Sequence, residues 1–177
     1  MPTDYPEGYI LMATQLETAP EKQGLRVLGS PIGTPAYIKW FLDKELAEHE
    51  QACEKILSMP EKQVAGLFLR WKVGQIDFIL RTTPPDQCKD FAQKYDAITT
   101  KAVAKLLNLA EISPDAASRL FVKLHEGGMG FYSAVVHSLP AYTASFATFL
   151  TTAPHKGKWK TACELAARKD VTNPPLC

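Results

Sequence analysis

The chain has 177 residues, 46% of them hydrophobic and 22% charged, with 20 basic and 19 acidic side chains and a net charge of +1. That length suits one ordinary domain with a real core, or two very small ones, and the composition excludes a disordered chain. A charge so close to balance lacks the basic excess of a dedicated nucleic-acid binder, so any such role needs local clustering of cations.

Residues 1–24 are polar and proline-bearing, with a short apolar patch from Tyr9 to Met12. They read as an extended lead-in. Leu25–Leu28 is too short for a helix and predicts one strand, ended by Gly29 and Pro31. Thr34-Pro35 then opens a helix, with threonine as cap and proline in the first turn. Ile38, Phe41, Leu42, Leu46, Cys53, Ile56 and Leu57 recur on one face of that helix, which runs to about Met59. Pro60-Glu61 restarts the chain. Val64, Leu67, Phe68 and Trp71, followed by Ile76, Phe78 and Ile79, are expected to supply the apolar side of a second helix, with Gly74 as a break.

Thr83-Pro84-Pro85-Asp86 begins a third helix, with Cys88, Phe91, Tyr95, Ile98, Ala102, Val103, Leu106 and Leu107 along one stripe. Ser113-Pro114-Asp115 begins a short fourth, carrying Leu120, Phe121 and Leu124. The stretch HEGGMGF, His125 to Phe131, has three glycines in four residues, so Gly127, Gly128 and Gly130 mark a tight turn or a close backbone approach. Ser133 caps a fifth helix in which Pro140 is a kink or a restart. A basic linker, HKGKWK, leads to a last short helix at about Thr161–Lys169 and a proline-bearing tail. The expected fold is therefore all-α, five or six helices in an orthogonal bundle with one short strand. It divides into a lead-in over 1–24, a helical domain over 25–150, and a linker, short helix and tail over 151–177.

The cysteines, Cys53, Cys88, Cys163 and Cys177, lie far apart. No secretory leader and no window of 18 apolar residues is visible. The expectation is a protein with free thiols in a reducing compartment, nuclear or cytoplasmic, with no membrane association.

Metal-dependent phosphoryl or nucleotidyl transfer needs acidic groups converging on divalent ions. No two aspartates are adjacent. Asp86 and Asp90 share a helix face, but near a helix start, where a carboxylate complements the helix dipole. His49 and Cys53 stand four apart, as two zinc ligands would, yet a second pair would require Cys88 with His125 or His137 to converge. There is no nucleophile elbow and no phosphate-binding loop. The chain is expected to be non-catalytic, without cofactor or metal. Basic and aromatic residues interleave twice: Lys39 and Lys44 beside Tyr37, Trp40 and Phe41, then Arg70, Lys72 and Arg81 beside Phe68, Trp71 and Phe78. They are either solvated edges of helices that pack through their aromatics, or a groove tracking a phosphate backbone.

The order of motifs adds to this. VLGSPIG, a long helix, FLRWKVGQIDFILRTTPP, then FAQKYDAITTKAVAKLL and LFVKLHEGGMGFYSAVVHSLPAYTASF resemble the region after the palm in reverse transcriptases of retrotransposon type. Leu80-Arg81-Thr82-x-Pro84 and Gly127-Gly128-Met129-Gly130 match that family's motifs, whereas Lys123-Leu124-His125 departs from its Leu-Pro. The resemblance spans residues 25–150. It implies that Leu25–Gly33, with Gly29 and Gly33 as its turn glycines, corresponds to the primer-grip turn, and the following helices to the thumb. The fingers, and the palm with its paired aspartates, have no counterpart here, so polymerase activity does not carry over. The implied partner is an RNA–DNA or DNA duplex, or the missing polymerase subdomains. The implied contacts are Lys39, Lys44, Arg70, Lys72 and Arg81. The alternative reading is a helical protein–protein adaptor presenting Trp40, Trp71 and Trp159. A small-molecule-binding helical domain or enzyme without a recognisable motif is the remaining class.

Overall fold

The computed structural model describes residues 23–152. The first 22 residues, the basic linker, the helix expected at Thr161–Lys169 and the tail lie outside the described residues. The described chain is mostly helical: a β-hairpin (β1 Gly24–Val27, β2 Ser30–Gly33) precedes α1 Pro35–Leu57, α2 Lys62–Gly74, α3 Asp77–Thr82, α4 Pro85–Leu106, α5 Pro114–Leu120 and α6 Ala134–Thr152, with one 3₁₀ turn at Leu124–Glu126.

The expected single strand is corrected to a two-stranded antiparallel sheet, pairing Gly24 with Gly33, Leu25 with Ile32, Arg26 with Pro31 and Val27 with Ser30. Pro31, read as a strand end, lies inside β2. Ladder bonds alternate outward from a two-residue turn, and the Thr34 N–H donates to the Gln23 carbonyl at 3.0 Å. Pro31 thus occupies a pair that exchanges no bonds, where its missing N–H costs the ladder nothing. Leu28 and Gly29 form the turn with φ of 51° and 94°. Two central residues at positive φ are what a type I′ hairpin requires. At the base, the Tyr37 ring lies on the paired glycines: a methyl group on Gly24 would fall inside that ring, and one on Gly33 would meet the Gln23 carbonyl oxygen at 2.5 Å.

Three helices start as their prolines dictate. Thr34 Oγ1 accepts from the Tyr37 N–H at 3.2 Å, and Ser113 Oγ from the Ala116 N–H at 3.3 Å. Pro84 precedes α4. α4 ends at Asn108 in the left-handed region (φ 57°), with the Leu109 N–H returning to the Ala104 carbonyl at 2.9 Å. α6 runs through Pro140 without restarting.

α1 packs on α4, and α6 packs on α3 and α4. The core is built from Phe41, Leu42, Leu46, Leu69, Val73, Leu80, Phe91, Tyr95, Val103, Leu120 and Phe131. The expected apolar side of α2 is corrected. Its buried face is Ala65, Leu69 and Val73, whereas Val64, Leu67, Phe68 and Trp71 face solvent, as does Phe78 on α3. Both faces of α2 are apolar at helical spacing, and small residues let the Ala65 face approach α4 closely: Gly66 lies against Leu106. Leu107 and Leu124, also placed on apolar stripes, are exposed.

Candidate nucleic-acid interface

The hairpin is held over α1 by its own side chains. The Arg26 guanidinium sits 5.4 Å from the Phe41 ring centroid and 3.9 Å from a Glu45 carboxylate oxygen. Behind the turn, Arg26, Gly29, Glu45, His49, Lys72, Gln75 and Phe78 are among the residues lining a cavity of about 200 Å³. The structure therefore brings one expected contact, Lys72, to the same concavity as the hairpin turn. Lys72 is half-buried, and its ammonium donates to Gln75 Oε1 at 3.2 Å.

The other four cations are dispersed. Lys39 and Lys44 are exposed on α1, five residues apart and so on different sides, and Lys44 faces Glu48 at 3.8 Å. Arg70 is exposed on α2 and reaches the glycine turn, where a methyl on Gly130 would lie 3.5 Å from its Cζ. Arg81 Nε donates to Asp77 Oδ2 at 2.7 Å. Sequence reasoning missed Arg26, which stands inside the strand-like run LRVL. Only the return of β2 places it on the cavity wall.

Arg81 belongs to a second concavity of about 490 Å³ between α3 and α6. The Tyr132 hydroxyl donates to Asp77 Oδ1 at 2.7 Å, and the Tyr132 ring stacks on His137 at 4.0 Å. Burial, then the Asp77 carboxylate, pushes the Tyr132 phenol well above its ordinary range, so it remains a neutral donor. His137 Nδ1 lies 2.8 Å from the Ser133 carbonyl oxygen, so Nδ1 is the donor in that contact, and His137 also lines this concavity.

α6 itself is fastened by Asp96 of α4. Its carboxylate accepts from Ser133 Oγ (2.6 Å), the Ala134 N–H (2.7 Å) and the Val135 N–H (3.3 Å). Burial raises the Asp96 pKa, and these three donors and the nearby His137 oppose the rise. No local pattern reveals this contact, because donor and acceptor lie 37 residues apart.

The glycine turn wraps the end of α5. Gly127 and Gly130 have φ of 84° and 66°. A Cβ on Gly128 would collide with the Val122 carbonyl. The Gly130 and Phe131 N–H groups return to the Val122 and Leu120 carbonyls at 2.8 and 3.0 Å.

His49 and Cys53 are core residues. His49 stacks on Tyr95 at 3.8 Å, with Nε2 3.4 Å from Thr99 Oγ1 and 3.6 Å from Cys53 Sγ. Burial, reinforced by the Lys72 charge, lowers its pKa to about 4, and burial pushes the Cys53 and Cys88 thiols up to about 11. Among the described residues no three histidine, cysteine or acidic side chains are grouped to hold a metal ion, and no helix is long and apolar enough to cross a membrane.

Comparison with protein-family models, with characterised proteins and with solved structures gives no match for this chain.

Proposed function

We propose that this chain is a non-catalytic helical module, resembling the thumb region of a reverse transcriptase, that binds the backbone of a nucleic-acid duplex weakly. Its duplex would be RNA–DNA or DNA, its place of action the nucleus or cytoplasm, and the polymerase's other subdomains a further partner. An orthogonal packing of the helices belongs to the same proposal. The observation that carries it is the hairpin. VLGSPIG folds into a two-residue turn whose leucine is 91% exposed, with Arg26 and Lys72 on the cavity behind it. A turn projecting an unpacked leucine beside cations is suited to resting against a strand and its phosphates.

The scatter of Lys39, Lys44, Arg70 and Arg81 sets the expected strength. A few phosphate contacts give a salt slope of only a few units, at about 0.9 per contact, and dissociation constants of roughly 10⁻⁴ to 10⁻⁶ M. Titrating a labelled RNA–DNA hybrid at about 50 mM and about 200 mM salt, the range over which such contacts lose affinity, tests this. Arg26→Ala and Lys72→Ala should weaken binding uniformly across sequences. A flat titration, with folding verified by circular dichroism, removes the reading.

A second reading, the helical adaptor, is favoured by α6. Val135, Leu139, Tyr142 and Phe146 follow a four-three-four spacing along its outer side, three of them exposed, on a helix without a single Lys, Arg, Asp or Glu. Such a seam fits the apolar face of another helix. A salt-insensitive protein complex lost on Leu139→Asp would establish it.

A further inference from the structure

α2 is apolar on two nearly opposite sides. Ala65, Leu69 and Val73 face the core, while Val64, Leu67, Phe68 and Trp71 form an i, i+3, i+4, i+7 stripe in solvent, with Leu67 68% and Trp71 65% exposed. A helix apolar all round is normally covered all round. Arg70 and Lys72 stand at the two edges of the stripe, and α2 carries three basic residues and no acidic one. Whatever covers it must be apolar in the middle and acidic at the margins. A second copy of α2 does not qualify, because its own Arg70 and Lys72 would be brought against these.

The chain contains one terminal segment of the right composition. Residues 1–22 carry Asp4, Glu7, Glu17 and Glu21 against Lys22 alone, and their apolar side chains cluster at Tyr9, Ile10, Leu11 and Met12 between the acidic pairs. Residues 153–177 have the opposite balance, five basic against two acidic. Reach is no obstacle: Met12 lies eleven residues before Gln23, a span of up to roughly 36 Å, against a radius of gyration of about 14 Å for a domain of this size. We propose that the segment around Tyr9–Met12 docks on the outer stripe of α2, with Glu7 and Glu17 placed against Lys72 and Arg70. The contact is a strap within one chain; it does not rest on the nucleic-acid reading, although it engages Lys72 and Arg70, two of the cations named there.

The test uses the full chain carrying Cys163→Ser, Cys177→Ser and Thr14→Cys, with a nitroxide attached to the thiol introduced by the last of these. Amide signals of residues 64–71 are followed by NMR. Docking predicts at least a twofold, concentration-independent loss of their intensity, relieved by Ile10→Asp with Leu11→Asp and weakened by Glu7→Lys with Glu17→Lys. These substitutions lie outside the described domain, so its signals report that it remains folded. No broadening overturns the proposal. Broadening that scales with protein concentration assigns the stripe to a second copy and also overturns it, as does a Trp71-dependent binding of anionic vesicles that the two aspartates leave unchanged.

Discussion

His49 illustrates how one side chain links packing to pH. It is 2% exposed, stacked on Tyr95, and neutral in the fold because its pKa is lowered to about 4 from the usual 6.5. The unfolded chain binds the proton first. Stability from this residue is therefore complete above pH 6.5 and is lost as pH falls toward 4, by on the order of 3 kcal/mol in all. Asp96, with its raised pKa, slopes the other way, so the difference between parent and His49→Gln isolates the histidine. The urea midpoint of the parent should fall more steeply between pH 7 and pH 5 than that of the variant. Parallel curves would show that His49 is solvated. Cys53 and Cys88, buried with thiols pushed up to about 11, should resist labelling at pH 8 until the protein unfolds. Peptide mapping after brief exposure to a thiol reagent reads this directly, and rapid native labelling of either would contradict it.

At the scale of elements, the first turn of α6 is capped by a carboxylate from another helix. Asp96→Ala leaves Ser133, Ala134 and Val135 without their acceptor and should cost about 1–3 kcal/mol, as loss of a charged, partly buried cap does. Asp96→Asn keeps one acceptor oxygen and should cost less. Urea unfolding ranks the two, and equal values would mean that the cap is replaced by water. The glycine turn is graded in the same way. Gly130→Ala, strained by φ but meeting only side chains, Leu124 at 3.2 Å and Arg70 at 3.5 Å, should cost about 1 kcal/mol. Gly128→Ala drives a methyl into the Val122 carbonyl and should cost more, because backbone must move.

Across the whole molecule, what was legible in the sequence was what is decided locally. Thr34-Pro35 and Ser113-Pro114 mark true helix starts because a cap and a fixed φ act within one turn, and Pro84-Pro85 does so by its fixed φ without a side-chain cap. The glycine turn was visible for the same reason. Elements decided by distant partners were not. β2 contains a proline whose harmlessness depends on its pairing with Arg26. α2 presents two apolar faces, and periodicity cannot say which one meets α4. Of the interface, five cations were named, but their dispersal and the place of Arg26 follow only from how α1, α2 and the hairpin meet. Asp96 had no sequence signature at all.

The hairpin tip carries a consequence of its own. Leu28 sits at φ 51°, a region that costs a branched-chain aliphatic residue roughly 1 kcal/mol, and at 91% exposure it gains nothing from packing in return. The fold would be better served by asparagine, which tolerates that conformation and pairs well with the following glycine. Leu28→Asn should therefore raise the melting temperature by a few degrees. The same change should weaken duplex binding if the tip rests on a strand. A variant that is both sturdier and a poorer binder would mark Leu28 as a residue kept for what lies outside the protein; one that is destabilised would show that the leucine already has a neighbour.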